Sequence, residues 1–516
     1  MVKAIKYGIP VYNCRVERLQ KKSNINRNPI GHPRLLYMQS KRFYQFESTK
    51  KLALCTLSLV LLFFGFFSNS WNVAEQKRFE SNQSGSECLI VGRLIKSRQD
   101  GIFSAGGLTG AWVPDNSPKH GISERWLPTH QARNQYSAYF NGISFDTYSP
   151  YMSQTGGQGM LFSLLDSLIP LSAQTKLALF HTLTSLLSAS ALTVIILWLY
   201  CELGLSAALF AACSMVLSQS LTDFGRDLWW SMWAFYLPMI ALMYFFKNKR
   251  TQLDNHFIWF GLLCFIAVSI KCFINGYEYI TTTLIMMIIP FVYYSMRDRV
   301  RVSYFFTGIS IATLGSLLAI FLNLIILSFQ VGAAKGDVQD GFEHIVYVFE
   351  KRTHGDTHDY PDSTDSTLEA GTIMVVVRYL SGSFFDLNNY LTVSNQFISR
   401  YLFKVRYLYL IIFFLGMSLV VLYSADKNTP SKQQQRNRAF VCTTWVSILA
   451  PLSWIIIFKA HSFVHAGMNF IVWQMPFTVF GSAVCGLAAK NLLPGTMSKC
   501  KPEPDLVYKT KHKSTE

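Results

Sequence analysis

Charge is scarce in this chain. Only 15% of its 516 residues are Asp, Glu, Lys or Arg, and half are hydrophobic. Soluble domains carry about 25% charged residues, so the composition is that of a membrane protein. Paired cysteines are missing as well. The ten cysteines are scattered singly without a CxxC, and Cys88 alone falls in a long polar loop, so neither a disulfide framework nor a zinc site is indicated. Met1–Lys51 has no apolar core of the length a cleavable signal peptide needs. No GxxxxGK[ST] or GxGxxG pattern stands in a strand-to-helix context, which argues against a nucleotide cradle. Asp356, Asp359, Asp362 and Asp365 do not follow the calcium-loop pattern. Charges within the apolar runs are nearly absent and no internal repeat is visible, which argues against a transporter or a lipid-linked sugar flippase.

What the chain has instead is recurrent apolar segments, most of them long enough for a hydrocarbon core of about 30 Å. The sequence predicts an all-α polytopic membrane protein with about ten transmembrane helices: Leu52–Ser68, Leu177–Tyr200, Ala207–Leu221, Leu228–Phe246, Phe257–Phe273, Tyr277–Met296, Tyr304–Phe329, Tyr407–Tyr423, Ala439–Phe458 and Asn469–Ala489. Residues 1–51 form a basic tail, with twelve Lys/Arg against two acids. Residues 52–330 form a membrane module with a first long loop at 70–175. Residues 331–405 are a second long loop, 406–489 a three-helix membrane segment and 490–516 a second basic tail. The first long loop is neutral, with eight acids and eight bases, and residues 331–404 carry ten acids and six bases. The short links at 247–250, 297–301 and 426–438 are basic, so the positive-inside rule puts both tails in the cytoplasm and both long loops outside. The net charge of +17 is thereby explained by orientation signals, without a nucleic-acid partner.

Ser86–Gly110 stands out in the first loop. Leu89, Ile90, Leu94 and Ile95 make an apolar stripe at helical spacing, with Glu87, Arg93, Lys96, Arg98 and Asp100 on the other faces. A glycine-rich turn follows at Gly101–Gly107. The pattern predicts an interfacial amphipathic helix, with Glu87 and Asp100 at the membrane–water boundary; a surface helix with solvated charges is the plainer alternative. Other ionisable residues gather at span ends on the same side, where they are costly and mark function. Asp223 and Arg226 lie in the link before Trp229, Trp230 and Trp233; Lys271 and Glu278 flank the Asn275-Gly276 turn; Lys459, His461 and His465 lie in FKAHSFVHAGMNF. Local ion pairing, Asp223 with Arg226 and Lys271 with Glu278, is the competing account. His461 and His465 have no third zinc ligand at a recognisable spacing, so hydrogen bonding to phosphate or sugar fits them better. Gln131, Asn134, Tyr136, Tyr139, Tyr148, Tyr151 and Gln154 are suited to sugar, and Gln154 and Gln158 fall within Ser153-Gln-Thr-Gly-Gly-Gln-Gly159, ahead of an apolar run at Met160–Leu171 too short to span.

With its cytoplasmic N-terminus, large first outer loop and acidic residue ahead of the helix IVGRLIKS, the chain resembles the GT-C superfamily of integral-membrane glycosyltransferases. The resemblance covers the layout of about residues 52–330; the acid is single, 19 residues past Ser68, and SQTGGQG replaces the family's signature at the second interfacial helix. It implies a sugar taken from a polyprenyl-phosphate donor and passed to a lipid-linked glycan or other acceptor outside the cytoplasm. Glu87 or Asp100 would be the catalytic base. Arg226, Lys271 and Lys459 would face the departing phosphate, with Asp223, Glu278, His461, His465, Gln154 and Gln158 binding substrate. No metal ligand set is identified, although a divalent cation as cofactor stays open. A polysaccharide polymerase or ligase shares the layout. The bacterial cytoplasmic membrane is the expected location, ahead of the endoplasmic reticulum, in which alone the sequon Asn82-Gln-Ser84 would be used.

The loop charges make a direct prediction. In intact cells an impermeant thiol reagent should label cysteines introduced at Ser117 and Ser363 and leave one at Ser431 untouched. Labelling at position 431 from outside would invert the orientation.

Overall fold

The computed structural model describes residues 32–112, 129–144, 147–249, 256–353, 370–391, 394–424 and 431–492. The Asp-rich segment with Asp356, Asp359, Asp362 and Asp365, and the positions Ser117 and Ser363, lie outside the described residues, as do the side chains of Asn82, Gln131 and Asn134. The chain divides into two units, Met1–Leu54 and Cys55–Glu516. The architecture is helical, as the apolar runs require. Helix α1 is His32–Ser68, α2 Gln76–Asp100, α3 Thr129–Asn141, α4 Gly157–Leu168, α5 Ala173–Leu203, α6 Leu205–Val216, α7 Gln219–Phe224, α8 Met232–Lys249, α9 Phe257–Asn275, α10 Ile280–Asp298, α11 Val302–Lys335 and α12 Val338–Thr353. There follow α13 Thr372–Ser381, α14 Tyr407–Tyr423, α15 Ser431–Ser447, α16 Leu449–Ile457, α17 Lys459–Val464, α18 Ala466–Asn469 and α19 Phe477–Leu492.

Each of the ten apolar segments is mainly helical, but the helices differ in length. Six are long and apolar enough to cross a membrane: Glu47–Ser68, Ala173–Leu203, Phe257–Asn275, Ile280–Asp298, Val302–Lys335 and Lys432–Ile457. Ala466–Gln474 and Phe477–Leu492 make a seventh if a pair bent by 45° counts as one span. Leu205–Val216, Met232–Lys247 and Tyr407–Tyr423 are apolar but shorter. The set suits an integral multi-pass membrane protein.

Only two small antiparallel ribbons interrupt the helices among the described residues. Strand β1 (Gly110–Trp112) pairs with β2 (Tyr148–Pro150), and β3 (Ser383–Asp386) with β4 (Lys404–Arg406). The first ribbon lies directly on α2. A Cβ at Gly92 would sit 2.2 Å from the Gly110 carbonyl oxygen, so only glycine allows this approach. The two long loops are tied to each other: Asn72 donates to the Asn389 carbonyl at 2.8 Å, Asn389 returns a bond to the Val73 carbonyl at 2.7 Å, and Tyr390 donates to the Trp71 carbonyl at 2.6 Å.

The structure corrects the reading of α2 as a helix with solvated charges. Ile90, Leu94 and Ile95 of its predicted apolar stripe are buried, but so are Glu87 and Arg93. Arg93 clasps the glycine-rich turn, donating to the carbonyls of Gly101, Ile102, Ser104 and Leu108 at 2.9, 2.7, 2.5 and 3.3 Å. Arg98 forks onto Asp166 of α4 at 2.6 and 2.8 Å, lies 4.2 Å from the Tyr139 ring centroid, and shares Asp166 with the Tyr139 hydroxyl at 2.7 Å. Part of the polar face is thus built into protein, where α3 supplies Tyr139 and α4 Asp166, while Lys96 and Asp100 pair at the surface. Periodicity reports which residues share a face; it does not report what covers that face.

Gly92→Ala should destabilise the fold by about 1–3 kcal/mol, as overpacking does. Gly85→Ala, on the same helix with nothing within 4 Å of the added methyl, should gain about 0.5–1 kcal/mol. Thermal unfolding in detergent measures both, and equal effects would refute the close approach.

Candidate active site

The turn Ser218–Ser231 enters from α6 and begins α7 with Ser218, whose hydroxyl caps Leu221 N–H at 3.3 Å. Asp223 and Asp227 follow four residues apart, and both are buried. Together with Ser220, Phe224, Trp230, Gly467 and Met468 they line one small pocket. Asp227 is held firmly: one carboxylate oxygen accepts Trp229 and Trp230 N–H at 2.7 and 3.0 Å, and the other accepts the Ser86 hydroxyl at 3.1 Å. Burial, then the nearby Glu87 charge, raises its carboxyl to about 7 despite those donors. Asp223 faces Arg78 at 3.4 Å, and burial lifts it to about 6 against the pull of that guanidinium. The Arg78 guanidinium also donates to the Gly467 carbonyl at 2.7 Å. The indole N–H of Trp230 is buried without a hydrogen-bond partner among the described residues.

Glu87 stands beside this pocket. Its carboxylate meets His181 of α5 at 2.9 Å through both oxygens and accepts the Tyr136 hydroxyl at 2.9 Å. Burial pushes its pKa up, but the His181 charge, the hydrogen bonds from His181 and Tyr136, and then Arg226 overcome it, and the net direction is down. Arg226 does not pair with Asp223. It donates to the Phe67 carbonyl at 2.9 Å and lies 4.4 Å from the Phe79 ring centroid.

A second cluster surrounds Glu278. One of its carboxylate oxygens takes Arg352 of α12 at 2.9 Å and the other faces His461 at 3.4 Å. Burial alone would raise its pKa; Arg352 first and the histidines after it hold Glu278 well below the usual carboxylate range. His465 lies tilted against His461 with ring centroids 4.8 Å apart, and burial, with the His461 charge adding to it, drives His465 down to about 3 against the pull of Glu278. Arg352 also reaches the Tyr151 hydroxyl at 3.4 Å, and Tyr151 packs edge-on against Trp229 at 5.0 Å, which links the two clusters. Tyr279, between them, has φ +52°, a costly value for a bulky residue, and its hydroxyl donates to Asn469 at 2.8 Å.

The remaining expected residues separate into different roles. Gln158 donates to the Trp229 carbonyl at 3.2 Å and Gln154 is packed under Gly276; the Gln158 Oε1 and Gln154 Nε2 atoms are buried without partners among the described residues. Lys459 is half-buried near His461, with no ion pair among the described residues. Asp100 is apart from the others, at the far end of α2, 41% exposed and paired with Lys96. Lys271 is fully buried and donates to the backbone carbonyls of Gly276 and Glu278 at 2.9 and 2.6 Å, so it holds the turn that follows α9. It leaves one of its three N–H groups for anything else. Lys271 thus meets Glu278 through its backbone carbonyl, while the Glu278 carboxylate goes to Arg352 and His461. Among the described residues no group of three or more His, Cys, Asp or Glu side chains could hold a metal ion.

Sequence reasoning overlooked His181, Arg78 and Arg352, and placed Asp227 in the charged link at a span end without giving it a role. His181 carried a signal, since an ionisable residue inside an apolar span needs a reason to be there. Arg352, at the end of an amphipathic stretch, carried none until the fold brought it to Glu278. No protein-family model matches the chain, and neither does a curated protein or a solved structure.

Lys271→Met should leave two buried carbonyls without their donor, at about 1–3 kcal/mol each. The variant should be recovered in lower yield and unfold at lower temperature. Native stability with weakened lipid-phosphate binding would instead restore Lys271 as a ligand.

Proposed function

We propose that the chain is a membrane glycosyltransferase with the GT-C layout, moving a sugar from a polyprenyl-phosphate donor to a lipid-linked glycan or other acceptor on the extracytoplasmic face. The carrying observation is the pair of buried carboxylates, Asp223 and Asp227, that line one pocket, with Asp227 titrating near neutrality. A general base works best with a pKa near the operating pH. Glu87, saturated by His181 and Tyr136, suits that task less well than Asp227, and Asp100 is far along α2 from Glu87 and exposed. Asp227 would take the proton of an acceptor hydroxyl. The hydroxyl oxygen would then bond to the anomeric carbon as the bond from that carbon to the phosphate oxygen breaks, its electron pair leaving with the phosphate. Arg78, which faces Asp223, and Arg226, in the same turn, would be fixed cations for the charge that develops. Glu87 would hold Arg226 and His181 in place.

The ten-crossing topology with both tails cytoplasmic belongs to the same reading. Contacts at the two ends are consistent with it. At one end Arg297 pairs with Glu202 at 2.9 Å and its carbonyl accepts Gln435 at 2.6 Å. At the other, Ser86 meets Asp227 and Glu278 meets Arg352 and His461. Each set joins segments that the loop charges assign to one side.

The test is transfer by purified protein in nanodiscs with a panel of polyprenyl-phosphate sugars. Asp227→Asn keeps an amide oxygen for Trp229 and Trp230 N–H, so it should fold and bind donor while turnover falls about 10²–10⁴-fold. Native turnover should rise with pH through about 7 as Asp227 loses its proton. Stability should move oppositely: the folded carboxyl keeps its proton above the ordinary carboxylate range, so stability falls as pH rises toward 7, and Asp227→Asn should flatten that fall. Full turnover in Asp227→Asn would remove the base assignment. Movement of intact lipid-linked sugar across vesicles, without transfer, would favour a flippase.

A further inference from the structure

Helix α12 leaves α11 by a turn at Gly336 and folds back along it. The approach is close: a Cβ at Gly341 would lie 2.3 Å from the Ser328 carbonyl oxygen. Gly341 and His344 are buried, and Ile345 packs against the cluster of Leu108, Leu327 and Val331. Val338, Phe342, Val346 and Phe349, at spacings of 4, 4 and 3, form a different face. Phe342, Val346 and Phe349 are 48, 56 and 53% exposed, unusual for three large apolar side chains on one stripe. Gln339, Glu343 and Glu350 flank the stripe on its exposed side.

We infer that α12 lies at the bilayer surface, with Val338, Phe342, Val346 and Phe349 in contact with lipid. Continuity favours lipid over any other occupant. Helix α11 has 34 residues, a length of about 51 Å, and exceeds the hydrocarbon core. Its exposed apolar side runs through Phe306, Leu314, Leu317 and Phe321 to Phe329, and α12 packs onto that same end of α11, with Val338 against Gly332 and Gly341 against Ser328. A stripe of this width on a helix with polar flanks is the pattern of an interfacial helix. Glu343 and Glu350 add no attraction to anionic head groups, so apolar burial is the driving term and neutral lipid suffices. The consequence reaches the Glu278 cluster, because α12 carries Arg352 at its end and the bilayer would hold the helix that delivers it. The inference stands on exposure and continuity and does not depend on the transferase reading.

The experiment places a nitroxide on cysteines at positions 342, 346 and 343, one at a time, in full-length protein whose native reactive cysteines are replaced by serine, in phosphatidylcholine nanodiscs. Collision with oxygen, which concentrates in lipid, is compared with collision with a water-soluble nickel chelate. The oxygen-to-nickel ratio should be severalfold higher at 342 and 346 than at 343, and added salt should leave it unchanged. Equal ratios at the three positions would make the stripe water-facing and overturn the inference. Low accessibility to both reagents at 342 and 346 would mean that protein covers the stripe, and would overturn it as well.

Discussion

The contact on which the candidate site depends is the one between Glu87 and His181. It joins a loop helix to a long apolar helix through a buried carboxylate and a partly buried imidazole, with Tyr136 of a third helix completing the carboxylate's shell. A carboxylate buried this deeply is strongly penalised unless charge and hydrogen bonds compensate it. The compensation fixes the height at which α2 meets α5. Ser86, one residue earlier, then falls within reach of Asp227. The pocket is therefore assembled by tertiary pairing and not by the local conformation of the short turn that supplies its acids.

The same economy governs the other buried charges. Asp166 accepts from Arg98, Lys176 lies 3.3 Å away, and Tyr139 donates to it. Glu278 is shared by Arg352 and His461. Lys271, with no ion pair to a carboxylate among the described residues, donates to the carbonyls of Gly276 and Glu278 in the turn that follows its helix. Burial thus sorts the ionisable groups into those whose charge is locked by partners and those, Asp227 and Asp223, whose carboxyls stay in the range where a proton moves.

Much of the helical content was legible in the sequence because apolar runs of that length have few alternatives. The Glu87 helix followed from its apolar stripe and the turn at Asn275-Gly276 from its two residues, while charge placed at span ends pointed to Asp223 and to the Glu278, His461 and His465 cluster. Span integrity was less legible. The runs at Ala207–Leu221 and Asn469–Ala489 read as continuous, yet the chain breaks at Leu217-Ser218, where a serine caps a new helix, and again between Gln474 and Phe477. Hydropathy sums over such breaks. Partners were legible least of all: Arg226 and Asp223, adjacent on paper, turn to Phe67 and Arg78, because tertiary neighbours offered better geometry than an exposed i,i+3 pair.

The Arg93 clasp gives the glycine-rich turn a property that its composition hides. Four carbonyls of residues 101–108 converge on one guanidinium, so none of them can release without loosening the rest. The turn and the last third of α2 then open as a single cooperative unit. Amide protons there should exchange together, on the timescale of the helix and not of a loop. Seven residues with three glycines thereby acquire the kinetics of regular secondary structure from a side chain outside their own segment.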